Sequence, residues 1–242
     1  MAPILIVGVH PVREALRAGG VREVRVGTRS DARVGEIVRL AEELGVPVRR
    51  VDVAELDRLA AGERHQGVLA TLGDIPRRWT LEQVVALEPR PLIVVLDGVE
   101  DPHNVGAILR TADAVGATAV VRQERHAAAL GPAAARASAG ALAHVRIVDV
   151  VNVVRAMETL KSLGVWTVGL DAEGAQPYDR IDFCPPTALV VGAEGEGLRR
   201  LVREHCDFIA ALPMRGHVSS LNVSVATGVV LYEALRQRDA QG

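Results

Sequence analysis

Five consecutive apolar residues, Leu92-Ile93-Val94-Val95-Leu96, constrain the fold more than any other stretch of the chain. A strand with one face in water alternates apolar and polar side chains, whereas an unbroken run is buried on both faces. Strands of that kind lie inside parallel sheets, and successive parallel strands need a crossover connection, usually a helix. The surrounding sequence supplies both parts. Residues 118–122, 145–148, 165–170, 187–191 and 208–212 read as further strands. Residues 105–115, 152–163 and 198–205 read as helices, and 127–143 is Ala-rich and helical in part around Gly131-Pro132. Strand and helix alternate throughout. The fold class expected is therefore α/β with a mostly parallel sheet, on this reading an ordinary doubly wound one.

A second, smaller α/β unit precedes the run. Residues 4–9 are an apolar strand, and His10-Pro11 opens a helix that Gly19-Gly20 ends. Residues 21–26 alternate apolar and charged as a half-exposed strand does, and 33–44 carry Val34, Ile37, Val38, Ala41 and Leu44 on one helical side. Strands at 46–53 and 68–72 flank a short helix at 54–60, with His65-Gln66-Gly67 as the last turn. Pro76, Trp79, Pro89 and Pro91 then mark a linker with a weak helix at 81–87. The organisation expected is a small domain over 1–74, a linker over 75–91 and a larger domain over 92–242.

Composition narrows the function classes. Hydrophobic residues make up 49% of the chain, enough for a sizeable core, while aromatics at 2% leave little for a base-stacking surface. A net charge of −2 argues against a general nucleic-acid coat but leaves room for a local basic patch. Lys161 is the only lysine, so the basic charge is nearly all arginine. Cys184 and Cys206 lack metal or redox spacing, which suits a reducing compartment. Neither a signal peptide nor a run approaching the ~20 apolar residues of a membrane span is visible. The expectation is a soluble, cytoplasmic protein with no metal and no membrane partner.

Three stretches carry chemistry. The first, Asp97 to Ala117, begins where the buried strand ends, the place at which open α/β sheets bind ligands. Asn104 lies ahead of or at the helix start and Arg110 follows six residues later, so both can approach one edge of a site. The bland alternative is an N-cap and a solvated arginine. The second, Gly192-Ala193-Glu194-Gly195-Glu196-Gly197, lets backbone approach a ligand closely. It is not a dinucleotide fingerprint, and its glutamates suit a ribose, an amine or a sulfonium better than a phosphate. The third runs from Leu212 to Arg236. After Pro213 and a polar loop, Ser219 and Ser220 sit where a helix N-cap belongs, and Leu221, Val225, Val229 and Tyr232 recur as an apolar helical face. The polar groups of Ser219-Ser220-Leu221-Asn222 either cap that helix or hold a ligand.

Together the three resemble the signatures of the SpoU/TrmH (SPOUT) family of RNA ribose 2′-O-methyltransferases. The matching residues are Asp-Pro-His-Asn-Val-Gly-Ala-Ile-Leu-Arg-Thr-Ala-Asp from Asp101, Val-Val-Gly-Ala-Glu-Gly-Glu-Gly-Leu from Val190, and Ser-Ser-Leu-Asn-Val-Ser-Val-Ala from Ser219 with Leu212-Pro213-Met214 before it. The resemblance covers residues 92–238, and within the family it is nearest to the 23S rRNA guanosine-2′-O-methyltransferases. Gly8-Val9-His10-Pro11-Val12 and His65-Gln66-Gly67 are similar to the family's small substrate-binding domain, a ribosomal-protein-like α/β fold.

The resemblance implies a deep trefoil knot in the larger domain, a homodimer, and S-adenosylmethionine as cofactor with S-adenosylhomocysteine as product. It implies Gly192, Gly197, Leu212, Met214 and Leu221 as cofactor-binding residues. It implies Asn104, Arg110, Glu194, Ser220 and Asn222 as the polar catalytic set. A guanidinium is a poor base, so Arg110 is expected to bind the target phosphate, with that phosphate or a shifted Arg110 taking the proton and Glu194 supporting the arginine. Residues 1–35 hold six arginines against three acids, so Arg13, Arg17, Arg29 and Arg33, with Arg122, are candidate contacts to 23S rRNA; the alternative is a solvated mixed-charge face. A tRNA-directed or antibiotic-resistance methyltransferase of the same fold is the nearest competing reading. A non-catalytic RNA-binding protein and a dinucleotide enzyme are more distant ones.

Overall fold

The structure is a computed structural model that describes residues 5–19, 21–28, 31–72, 79–125, 127–128 and 130–241. It forms two compact units, one holding residues 1–77 and 129–144, the other 78–128 and 145–242.

The first unit contains β1 (Leu5–Val7), α1 (Val9–Ala18), β2 (Val21–Gly27), α2 (Ala32–Glu43), β3 (Val48–Val51), α3 (Val53–Ala60) and β4 (Val68–Leu72). Its sheet order is β1-β4-β2-β3. β2 and β3 are parallel, while β4 is inserted antiparallel to both β1 and β2. The parallel expectation therefore fails at β4. The cause is the turn ahead of it. Gln66 and Gly67 both take positive φ, and Gly67 N–H donates to His65 Nδ1, reversing the chain into the gap.

The second unit contains α4 (Leu81–Val85), β5 (Leu92–Asp97), α5 (Pro102–Ala114), β6 (Ala119–Gln123), β7 (Ile147–Val150), α7 (Val153–Ser162), β8 (Trp166–Leu170), β9 (Gln176–Pro177), β10 (Thr187–Gly192), α8 (Arg200–Glu204), β11 (Phe208–Ala211) and α9 (Val223–Ala240). Between β6 and β7 lie α6 (Pro132–Ala137) and a 3-10 turn (Ala141–Ala143), which pack on β1 and α1 and so belong to the first unit. The seven strands run β7-β6-β5-β10-β8-β11-β9, every neighbouring pair parallel. β5 and β10 are buried along their whole length, as the unbroken apolar run requires.

One face of this sheet packs Val95, Val121 and Val190 against Met157 and Leu160 of α7 and Leu81 and Val84 of α4. Burial of each such side chain stabilises by about 1.5–3 kcal/mol. The second half of the expected linker is thus part of this unit's core. A capping box at Thr80 and Gln83 starts α4, so the local sequence did carry a helix signal.

The last helix differs from its expectation in two ways. Its N-cap is Asn222, not a serine, and the expected core face is exposed: Val225, Val229 and Tyr232 are 53%, 39% and 54% accessible. The buried residues are Val223, Thr227, Val230, Leu231 and Ala234. The helix is apolar on more than one side, so periodicity alone could not choose the face. Small residues choose it, because α5 packs on α9 where Thr111 meets Gly228.

Candidate active site

The carboxyl ends of β5, β8, β10 and β11 share one edge of the parallel sheet, and the loops that leave them build the site. Asp101 caps α5 by accepting from His103 N–H at 2.9 Å, with Pro102 in the first turn. Asn104 therefore sits inside the helix rather than at its cap, 5% exposed. Its Nδ2 donates to Glu194 Oε2 at 3.0 Å. Asn222 Nδ2 donates to Asn104 Oδ1 at 2.9 Å and to Glu194 Oε1 at 3.2 Å. Asn222 Oδ1 meanwhile accepts from the N–H groups of Ser224 and Val225 and from the Ser224 hydroxyl. One asparagine thus caps α9 and closes a ring of two amides and one carboxylate. Capping and the polar cluster are the same device here, where the sequence offered them as alternatives.

Glu194 projects from the glycine-rich loop after β10. A Cβ on Gly192 would lie 2.0 Å from the carbonyl oxygen of Gly197, so the two ends of the loop touch and only glycine fits. Gly197 N–H closes the turn onto the Ala193 carbonyl at 2.9 Å. Among the described residues Glu194 pairs with no cation.

Beside this ring opens a cavity of about 370 Å³. Gly192, Gly197, Leu212, Met214 and Leu221 all line it, with Glu194 and Ser220. Asp171 and Glu173, which follow β8, line it too. Sequence reasoning missed both, although the apolar run at 165–170 ends at Asp171 and ligands collect at such strand ends. Four carboxylates (Asp171, Glu173, Glu194 and Glu196) line the cavity and, among the described residues, no Lys, Arg or His does, although Arg203 meets Asp171 at 3.6 Å. The lining favours a ligand with positive charge over a phosphate.

Arg110 stands apart. It is exposed on α5 and makes neither a hydrogen bond nor an ion pair among the described residues. Six residues of helix turn a side chain roughly 240° about the axis, so one chain does not bring Arg110 to the face that holds Asn104. Glu194 accordingly supports two asparagines, not the arginine.

The candidate RNA contacts are mostly paired. Arg13 bonds Glu36 at 2.9 Å, Arg17 bonds Glu14 at 3.1 Å and Arg33 bonds Asp31 at 2.7 Å. Arg122 bonds Asp149 at 2.7 Å and the Ala128 carbonyl at 2.6 Å. Arg29 lies outside the described residues. Arg22, Arg49 and Arg50 are exposed with no partner among the described residues, a set the sequence did not single out.

Other chemistries find little support. Among the described residues no group of three or more His, Cys, Asp or Glu is placed to hold a metal ion. Burial pushes the Cys206 thiol up to about 12, far from a reactive thiolate. No helix among the described residues is long and apolar enough to cross a membrane.

Comparison with known proteins gives the same picture from another side. Residues 91–232 match the family model described as SpoU rRNA Methylase family, and residues 5–75 match RNA 2'-O ribose methyltransferase substrate binding. The chain is 44% identical over 245 residues to the 23S rRNA (guanosine-2'-O-)-methyltransferase RlmB of Pseudomonas putida, spanning 98% of this chain and 97% of that protein. It resembles the structure of the SpoU methyltransferase AviRb from Streptomyces viridochromogenes in complex with the cofactor AdoMet, with TM-score 0.83 and 30% identity over 98% of this chain and 91% of that one. The TrmH/SpoU tRNA modifying enzyme of A. aeolicus is 35% identical with TM-score 0.56, but the match takes in 64% of this chain and 80% of that one.

Proposed function

This chain belongs to the SpoU rRNA Methylase family, and from that premise we propose that it methylates the ribose 2′-hydroxyl of a guanosine in 23S rRNA, using S-adenosylmethionine. The observation that carries the reading is the acidic cavity beside the Asn104–Glu194–Asn222 ring. S-adenosylmethionine, when bound, supplies an electrophilic methyl on a sulfonium and leaves as S-adenosylhomocysteine. The cavity residues fit it: Gly192, Leu212 and Leu221 offer loop backbone at strand ends, and the carboxylates favour a cation.

The chain's own residues have three tasks. Gly192, Gly197, Leu212, Met214 and Leu221 hold the cofactor. Asn104, Glu194, Ser220 and Asn222 orient the reacting ribose, and positioning of this kind supplies much of a rate enhancement. Arg110, without a partner among the described residues, binds the target phosphate, and that phosphate or a shifted Arg110 takes the hydroxyl proton as the methyl–oxygen bond forms. The first unit binds RNA through its arginines. The second unit carries the family's trefoil knot, a reading supported by β10 lying between β5 and β8 with β11 beyond them. The enzyme works in the cytoplasm as a homodimer. The exposed stripe Val225, Val229 and Tyr232 supports a second copy, since an apolar helix face in water is a face missing its partner. Val229→Glu is expected to convert a dimer into a monomer by light scattering; an unchanged mass rules this stripe out.

A tRNA substrate is the weaker reading. The tRNA-modifying relative matches about two-thirds of this chain, whereas the 23S rRNA relative spans nearly all of it. Purified protein is expected to transfer labelled methyl from S-adenosylmethionine to a 23S rRNA transcript and not to tRNA; the reverse preference overturns the assignment. Arg110→Ala is expected to abolish transfer with cofactor binding near normal.

A further inference from the structure

We propose that Asp97 and Arg199 are positioning residues, a clamp that holds the glycine-rich loop where Glu194 can meet Asn104 and Asn222. The inference rests on the methyltransferase reading of the site. Asp97 is the last residue of β5 and is fully buried. A buried carboxylate survives only with close compensation. Among the described residues the compensation comes from Arg199. Asp97 Oδ2 accepts the backbone N–H of Arg199 at 2.9 Å, and Oδ1 accepts Arg199 Nε at 2.6 Å and also Nη2. The same Nη2 donates to Gln123 Oε1 at 2.8 Å, and Gln123 ends β6.

The clamp thus joins the carboxyl ends of β6 and β5 to the exit of the loop that follows β10. These are three consecutive strands of the sheet. The entry of the loop is already fixed, because Gly192 packs directly on Gly197. With its exit pinned by backbone and side chain together, residues 193–199 form a turn anchored at both feet. Glu194 lies inside that turn and is itself exposed, so its reach to Asn104 and Asn222 depends on where the turn is held. Arg199 shows a half-exposed side chain at the same edge, where an arginine could meet RNA. Its Nε and Nη2 are instead committed to Asp97 and Gln123.

The test is a double-mutant cycle in the full chain. Steady-state methyl transfer to a 23S rRNA transcript is measured for wild type, Arg199→Ala, Glu194→Ala and the double variant, with the Kd for S-adenosylmethionine measured by calorimetry. Arg199→Ala is expected to lower kcat at least tenfold, to weaken cofactor binding severalfold and to leave KM for RNA within about twofold. In the Glu194→Ala background the same change is expected to cost less than about twofold, because the clamp acts through Glu194. Arg199→Lys keeps the charge but loses the fork that spans Asp97 and Gln123, and is expected to fall between. It carries the cycle if Arg199→Ala does not fold. A raised KM for RNA with kcat intact makes Arg199 an RNA contact and overturns the clamp, as do fully additive losses. Wild-type transfer tests the methyltransferase reading by itself, and the Kd series reads the clamp even without turnover.

Discussion

Two carboxylates at opposite edges of the same parallel sheet behave in opposite ways. At the amino end, Asp207 precedes β11 and accepts from Thr167 N–H at 2.8 Å and from the Thr167 hydroxyl at 2.7 Å, while Lys161 meets its other oxygen at 2.8 Å. Every demand of the charge is met by a donor or a cation. Burial pushes the Asp207 pKa up, but hydrogen bonds from Lys161 and Thr167 outweigh it and hold the group below its ordinary value. At the carboxyl end, Glu194 is held by two neutral amides and by no cation among the described residues. Its negative charge stays uncancelled at a cavity lined by three more carboxylates. A fully compensated charge braces a fold. A charge oriented but left without a cation keeps its field for whatever enters the cavity.

The sharpest way to break the comparison is Glu194→Gln. The variant keeps the shape and removes the charge; its amide oxygen accepts from one asparagine only, and at this exposed position water takes up the other bond. Turnover is expected to fall about 100-fold, the scale on which a preorganised electrostatic group acts. The melting temperature is expected to stay within a degree or two of wild type. A variant that melts early and retains turnover per folded molecule would make Glu194 a brace like Asp207.

The contrast also explains what was legible in the sequence. Leu92 to Leu96 announced a doubly buried strand because burial on both faces leaves a mark on every residue. Asn104, Glu194 and Asn222 each lie in a short polar stretch that, taken alone, reads equally well as a cap or a tight connection, and only the family resemblance joins them into one set. What stayed hidden depended on distance or on a choice between equals. Asp97 and Arg199 are 102 residues apart, so no local pattern links them. Arg13 loses its free charge to Glu36, 23 residues on, which a local charge count cannot register. Ser219, Ser220 and Asn222 were equally good caps, and only the backbone turn selects Asn222. The apolar stripe at Val225, Val229 and Tyr232 has the pattern of a core face, because apolar periodicity reports a buried face without saying what buries it. Asp171 was within reach of strand-end logic and was overlooked beside the glycine-rich loop.

Asp207→Asn should show the reverse profile to Glu194→Gln. Asparagine offers one acceptor where the carboxylate used two, and its amide group faces Thr167 or Lys161 as a donor against donors. The expected cost is about 1–3 kcal/mol in denaturant unfolding at neutral pH. Turnover per folded molecule should stay within about twofold. The pH dependence fixes the cause. Asp207 has its folded pKa depressed, so its contribution is present above the unfolded value and is lost as pH falls through the folded one. The stability gap between wild type and variant should therefore close in acid, below the ordinary carboxylate range. A gap that persists at low pH would point to packing instead of charge.

The smallest effect separates the parts of the brace. Lys161→Met removes the cation and leaves both Thr167 bonds to Asp207 in place. Lys161 is one-third exposed, 34% of its side chain, so water screens the pair and the loss should be below about 1 kcal/mol. Methionine also keeps most of the apolar stem that lysine lays along the surface. The variant should nevertheless move the acid limb of unfolding to higher pH, because the Lys161 hydrogen bond is the leading influence that lowers the Asp207 pKa. Chemical denaturation at pH 7 and an acid titration of the same sample read the two quantities separately. A cost as large as that of Asp207→Asn would mean that the ion pair, and not the Thr167 bonds, carries the amino-end brace.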